Sequence, residues 1–132
     1  MQKKFSVAEF QRHVDDYVTE RGWKKYHKPK DIAISIAIES SELLELFQWK
    51  PDPLETGKLD QKLKARIGEE IADIVIYSAC MANALDVDMS EVLIDKIQKN
   101  RMKYPVEKVV KAKDWDAVRA TRSKPSERNG DD

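Results

Sequence analysis

The chain has 132 residues, with 24 Lys+Arg against 24 Asp+Glu, 41% apolar residues and 36% charged ones. One domain suits that length, and a mean hydropathy of −0.66 leaves no room for a membrane span. The formal net charge of zero speaks against a nucleic-acid binder held by phosphate neutralisation, and four glycines speak against a loop-rich β protein.

The first helix is expected from Phe5 to Arg21, where Val7, Phe10, Val14 and Val18 recur at helical spacing. Ser6 and Glu9 have the spacing of a capping box, and Gly22 ends the segment. Trp23, Tyr26, His27 and Pro29 form an aromatic-rich connection, and Pro29 suits the first turn of the next helix. From Asp31 to Phe47 the pattern is ambiguous at its start. Ile32, Ile34, Ile36 and Ile38 alternate as in a strand, but Leu43, Leu44, Leu46 and Phe47 continue at helical spacing. The run is also too long for an ordinary strand, so it is predicted as helix. Apolar residues on nearly every face of its first half imply a helix surrounded by others.

Pro51, Pro53 and Gly57 mark a loop after Trp49. A third helix follows from about Leu59 to Leu85, with Leu63, Ile67, Ile71, Ile74, Ser78, Met81 and Leu85 as its apolar stripe. Asp86, Val87 and Asp88 read as a turn. Asp88 or Ser90 then caps a fourth helix reaching about Lys103, which Pro105 stops. Beyond Val106 the periodicity is weak, although Trp115 and Val118 allow a short helix. The expected architecture is an all-α four-helix bundle over residues 1–105, an extension over 106–120, and a mobile polar tail over 121–132. The single Cys80, among Ala79, Met81 and Ala82, excludes a disulfide framework and reads as a core thiol. The N-terminal residues lack a secretory apolar run, so a cytoplasmic location is expected.

The acids fall where folding alone would not choose them. Glu39 and Glu42 are three apart in the most apolar helix, and Glu70 and Asp73 are three apart in the next, among Ile67, Ile71 and Ile74. Residues i and i+3 share a helix face, so antiparallel packing of the two helices brings four carboxylates together. Such a cluster opposes folding unless a cation offsets it. Oxygen-only ligands favour Mg²⁺ or Mn²⁺. Neither His13 nor His27 follows an acid by three residues, which sets aside a di-iron carboxylate bundle. The competing readings are solvated helix faces and ion pairs to Lys and Arg of the fourth helix. There Lys96, Asn100, Arg101, Lys103 and Tyr104 make a basic end that either complements the helix dipole or clamps phosphate oxygens.

Four stretches carry a family resemblance: Trp23 to His27, Glu39 to Glu42 continuing into Leu46-Phe47-Gln48-Trp49-Lys50, Glu69 to Asp73, and Lys96 to Pro105. In this order they resemble the all-α nucleoside triphosphate pyrophosphohydrolases of the MazG-like superfamily, and most nearly its single-domain dCTP pyrophosphatase type. The resemblance implies Mg²⁺ on Glu39, Glu42, Glu70 and Asp73, which are also the catalytic residues. It implies phosphate binding by Lys96, Asn100, Arg101, Lys103 and Tyr104, and nucleoside contacts from His13, Trp23, Trp49 and Tyr77. The implied reaction converts a nucleoside triphosphate, with dCTP or a related dNTP expected, to the monophosphate and pyrophosphate. The implied assembly is a homotetramer built as a dimer of dimers, or a dimer, with no nucleic-acid or membrane partner. A related dUTP or phosphoribosyl-ATP pyrophosphohydrolase is the alternative within this class. A non-catalytic helical oligomerisation module is the alternative outside it.

Overall fold

Helix α1, Val7–Glu20, opens on the expected cap. Ser6 Oγ accepts from the Glu9 amide at 3.2 Å, and Glu9 Oε2 accepts from the Ser6 amide at 2.7 Å. The computed structural model describes residues 4–122, and every regular element among them is helical. Gly22 reverses the chain at φ +65°, a conformation glycine adopts without strain, and a single 3₁₀ turn spans Trp23–Lys25. Helix α2, Pro29–Glu45, starts with Pro29 in its first turn, so the ambiguous isoleucine run is helical. Ser40 and Ser41 donate back to the Ile36 and Ala37 carbonyls at 2.8 and 2.9 Å, which disposes of their hydroxyls within the helix. In the following loop Asp52 Oδ1 accepts from the Leu54 and Glu55 amides at 2.8 and 3.2 Å. Helix α3, Gln61–Ala84, is capped by Asp60, whose carboxylate accepts from the Leu63 amide at 2.7 Å.

By packing, the chain forms two compact units, residues 1–89 and 90–132. In the first, α3 packs against both α2 and α1. Helices α2 and α3 run antiparallel: Ile32 shares a core with Ala79 and Cys80, Glu39 faces Asp73 and Glu70, and Glu45 shares a wall with Arg66. The core joins Val14 and Val18 of α1 to Ile32, Ala79 and Cys80. Small residues sit at the end of α3 because two helices approach it there. Gln11 fastens α1 to the turn after α3, donating to the Val87 carbonyl at 2.7 Å and accepting from the Met89 amide at 3.0 Å.

Ile34 and Ile38 are each 51% exposed, so the described residues of the first unit do not supply the surroundings expected for the first half of α2. Ile71, in the expected stripe of α3, is 49% exposed for the same reason. Helix α4, Met89–Lys103, begins one residue after Asp88 and is the longest helix of the second unit. A short α5, Val106–Val109, starts after Pro105. Helix α6, Trp115–Ala120, is capped by Asp114, which accepts from the Ala117 amide at 2.8 Å. The sequence leads to α6 but not to α5, whose single turn is too short to show a period. Of the expected mobile tail, residues 123–132 lie outside the described residues.

Candidate metal and nucleotide site

Helical spacing and antiparallel packing bring three of the four acids of α2 and α3 together, with Glu42 beside them. One carboxylate oxygen each from Glu39, Glu70 and Asp73 lies within 4.8 Å of the others. Glu42 lies beside Glu39 and Glu70 and shares a pocket wall with Glu70. Loss of water raises the Glu39 and Glu70 carboxyls above the usual carboxylate range, and the charges of Glu42 and Asp73 add to that effect. Oε2 of Glu70 is buried with no hydrogen-bond partner among the described residues. An unsatisfied buried oxygen within a set of hard oxygen donors fits a divalent cation such as Mg²⁺ or Mn²⁺.

Beside Asp73 opens a cleft of about 620 Å³, a size suited to one small ligand. It brings together His13, Trp23 and Tyr77, named by the resemblance as nucleoside contacts, with Asp73, and Cys80 also lines it. Tyr17 meets Trp23 edge to face at 5.6 Å between centroids, and Phe5 meets His13 at 5.8 Å. Phe5, Phe10, Tyr17 and His27 also line the cleft and were not anticipated there. Phe10, Val14 and Tyr17 follow one another three or four residues apart, so their spacing shows an apolar face without showing that part of it opens to a cavity. Trp49 does not line this cleft. It is 93% exposed and holds φ +63°, an uncommon conformation for a bulky residue. Burial pushes the Cys80 thiol up, so it stays protonated and inert at neutral pH.

The predicted phosphate residues lie in the second unit. Lys96, Asn100 and Arg101 are exposed on α4, and the Lys103 ammonium lies 5.6 Å from the Tyr104 ring centroid. The Tyr104 amide donates to the Asn100 carbonyl at 2.9 Å, which holds this basic end in helical register.

Residues 34–116 match the MazG-like family, a span that contains all four clustered acids and the basic end of α4. The chain is similar to dCTP pyrophosphatase 1 of Bos taurus, 34% identical over 103 residues, which cover 76% of this chain and 60% of that protein. It is also similar to dCTP pyrophosphatase 1 of Homo sapiens, 31% identical over 102 residues, covering 76% of this chain and 59% of that one. The chain thus spans about 60% of the length of the curated relatives it matches. Among solved structures, a pyrophosphatase from Archaeoglobus fulgidus DSM 4304 superposes with a TM-score of 0.67 at 35% identity, covering 80% of this chain and 97% of that one. On the matched span and the identity to these relatives, the chain belongs to the MazG-like family.

Proposed function

We propose that the chain hydrolyses nucleoside triphosphates between the α and β phosphates, releasing the monophosphate and pyrophosphate. The expected substrate is dCTP or a related dNTP, and the expected metal is Mg²⁺, with Mn²⁺ as substitute. The observation that carries this reading is the convergence of Glu39, Glu70 and Asp73 beside an aromatic cleft. Glu39, Glu42, Glu70 and Asp73 would hold a divalent cation, whose charge offsets the phosphate chain and makes the attacking water more acidic. One carboxylate of the cluster, Glu42 or Glu39, would accept that water's proton. His13, Trp23 and Tyr77 hold the base and sugar by stacking and edge contacts. Trp49 belongs to the nucleoside contacts by resemblance. So do Lys96, Asn100, Arg101, Lys103 and Tyr104 to the phosphate contacts, where cationic and amide donors suit phosphate oxygens.

The proposed assembly is a homotetramer, favoured by the exposed isoleucines of α2 and α3, and the proposed location is the cytoplasm. Among the described residues no helix is long and apolar enough to cross a membrane. The test is pyrophosphate release from a panel of canonical and modified nucleotides with Mg²⁺, Mn²⁺ or EDTA. Release with either metal, abolished by EDTA and lost by at least about 100-fold in Glu42→Gln and Asp73→Asn, is expected. Metal-independent release, or wild-type rates in both variants, would overturn the assignment.

A further inference from the structure

The carboxylate cluster has two different neighbours within residues 1–89. Asp73 is a wall of the aromatic cleft. Glu42 and Glu70 instead line a separate pocket of about 280 Å³, completed by Glu45, Leu46, Lys50 and Arg66. Along α3 the order is therefore Arg66, Glu70, Asp73 and Tyr77, each one helical turn or slightly less from the next, over about 16 Å. Cationic pocket, acidic cluster and aromatic cleft follow in line. Terminal phosphates, α-phosphate and base follow in the same order along a nucleoside triphosphate.

Neither Lys50 nor Arg66 makes an ion pair among the described residues, although three glutamates line the same pocket. No ion pair among the described residues therefore occupies either cation. A guanidinium offers paired N–H donors that match two oxygens of a phosphate, and a lysine adds a mobile point charge. Glu45 has the opposite effect, because its charge repels an anion in the pocket.

We propose that Lys50 and Arg66 form a subsite for pyrophosphate, the β,γ-diphosphate part of the substrate and the product that leaves. This rests on the triphosphate reading above and adds to it the direction in which the substrate lies. The competing role for the two cations is to balance the acidic cluster without touching a ligand.

Calorimetric titration of the full chain with inorganic pyrophosphate in saturating Mg²⁺ separates these roles. The wild type is expected to bind. Arg66→Ala is expected to weaken binding by about tenfold or more, with part of the loss recovered in Arg66→Lys, and Lys50→Ala to weaken it less. Glu45→Gln is expected to tighten it. Binding of dCMP, which lacks the β and γ phosphates, stays within about twofold of wild type in each variant whose circular dichroism is unchanged. Arg66→Gln, which keeps side-chain length and polarity, replaces Arg66→Ala if the latter fails to fold. Undetectable pyrophosphate binding by the wild type, or wild-type affinity in both Arg66 and Lys50 variants, overturns the subsite. Arg66-dependent pyrophosphate binding by a protein that cleaves no triphosphate supports the subsite and sinks the hydrolysis reading instead.

Discussion

Oε2 of Glu70 is buried with no hydrogen-bond partner among the described residues, and carboxylate oxygens of Glu39 and Asp73 crowd within 4.8 Å of the Glu70 carboxylate. The Glu39 and Glu70 carboxyls titrate above the usual range, so the folded chain binds more protons there than the unfolded chain. Metal-free stability therefore falls as pH rises from the ordinary carboxylate range, about pH 4, through their raised values. Glu9, lowered by the hydrogen bonds at the Ser6 cap, acts oppositely, and its contribution is lost only as pH falls below that range. Thermal melting in EDTA should show Tm declining across the upper window. Glu70→Gln should raise the metal-free Tm and shrink the rise caused by Mg²⁺. A metal-free Tm that climbs steadily with pH would contradict the cluster's electrostatics. The acids were legible in the sequence because a charge repeated three apart inside an apolar helix has no folding rationale. Lys50 and Arg66 were not, because a lone cation on a helix or turn is ordinary until the pocket around it is seen.

Each helix owes its limits to a few polar side chains. Replacing Ser6 by Ala removes the acceptor for the Glu9 amide and the anchor of the reciprocal bond. Urea denaturation should register a loss of about 1 kcal/mol. A loss of under about 0.2 kcal/mol would mean that packing alone fixes the start of α1. Caps, proline and glycine made α1, α2, α3 and α4 legible to within a few residues, and continued helical spacing resolved the isoleucine run of α2. The cleft lining was less legible. Phe10 and Tyr17 share a helical face with Val14 and Val18, and periodicity reports burial direction without separating core from cavity. Helix α5 left no pattern, since four residues complete barely one turn.

Among the described residues the buried apolar set is small. It comprises Val14, Val18, Ile32, Leu46, Ala79, Cys80 and Ala82, while Ile34, Ile38, Ile71 and Val75 stay exposed. Exposed apolar residues on two adjoining helices call for a cover beyond the first unit, which a second copy of the chain is proposed to supply. Light scattering coupled to size exclusion should give a tetramer or a dimer, and Ile34→Glu with Ile38→Glu should shift it towards monomer. A monomeric wild type would remove the oligomer proposal. The zero net charge, at first only a reason to set aside nucleic-acid binding, averages a clustered acidic site in α2 and α3 with a basic end on α4.

In the proposed reaction, water cleaves the bond between the α and β phosphates at the carboxylate cluster. Phosphorus NMR of dCTP incubated with the protein and Mg²⁺ reads that bond directly. Formation of dCMP and pyrophosphate in equal amounts is expected, with neither formed by Glu42→Gln. Accumulation of dCDP with inorganic phosphate would contradict it.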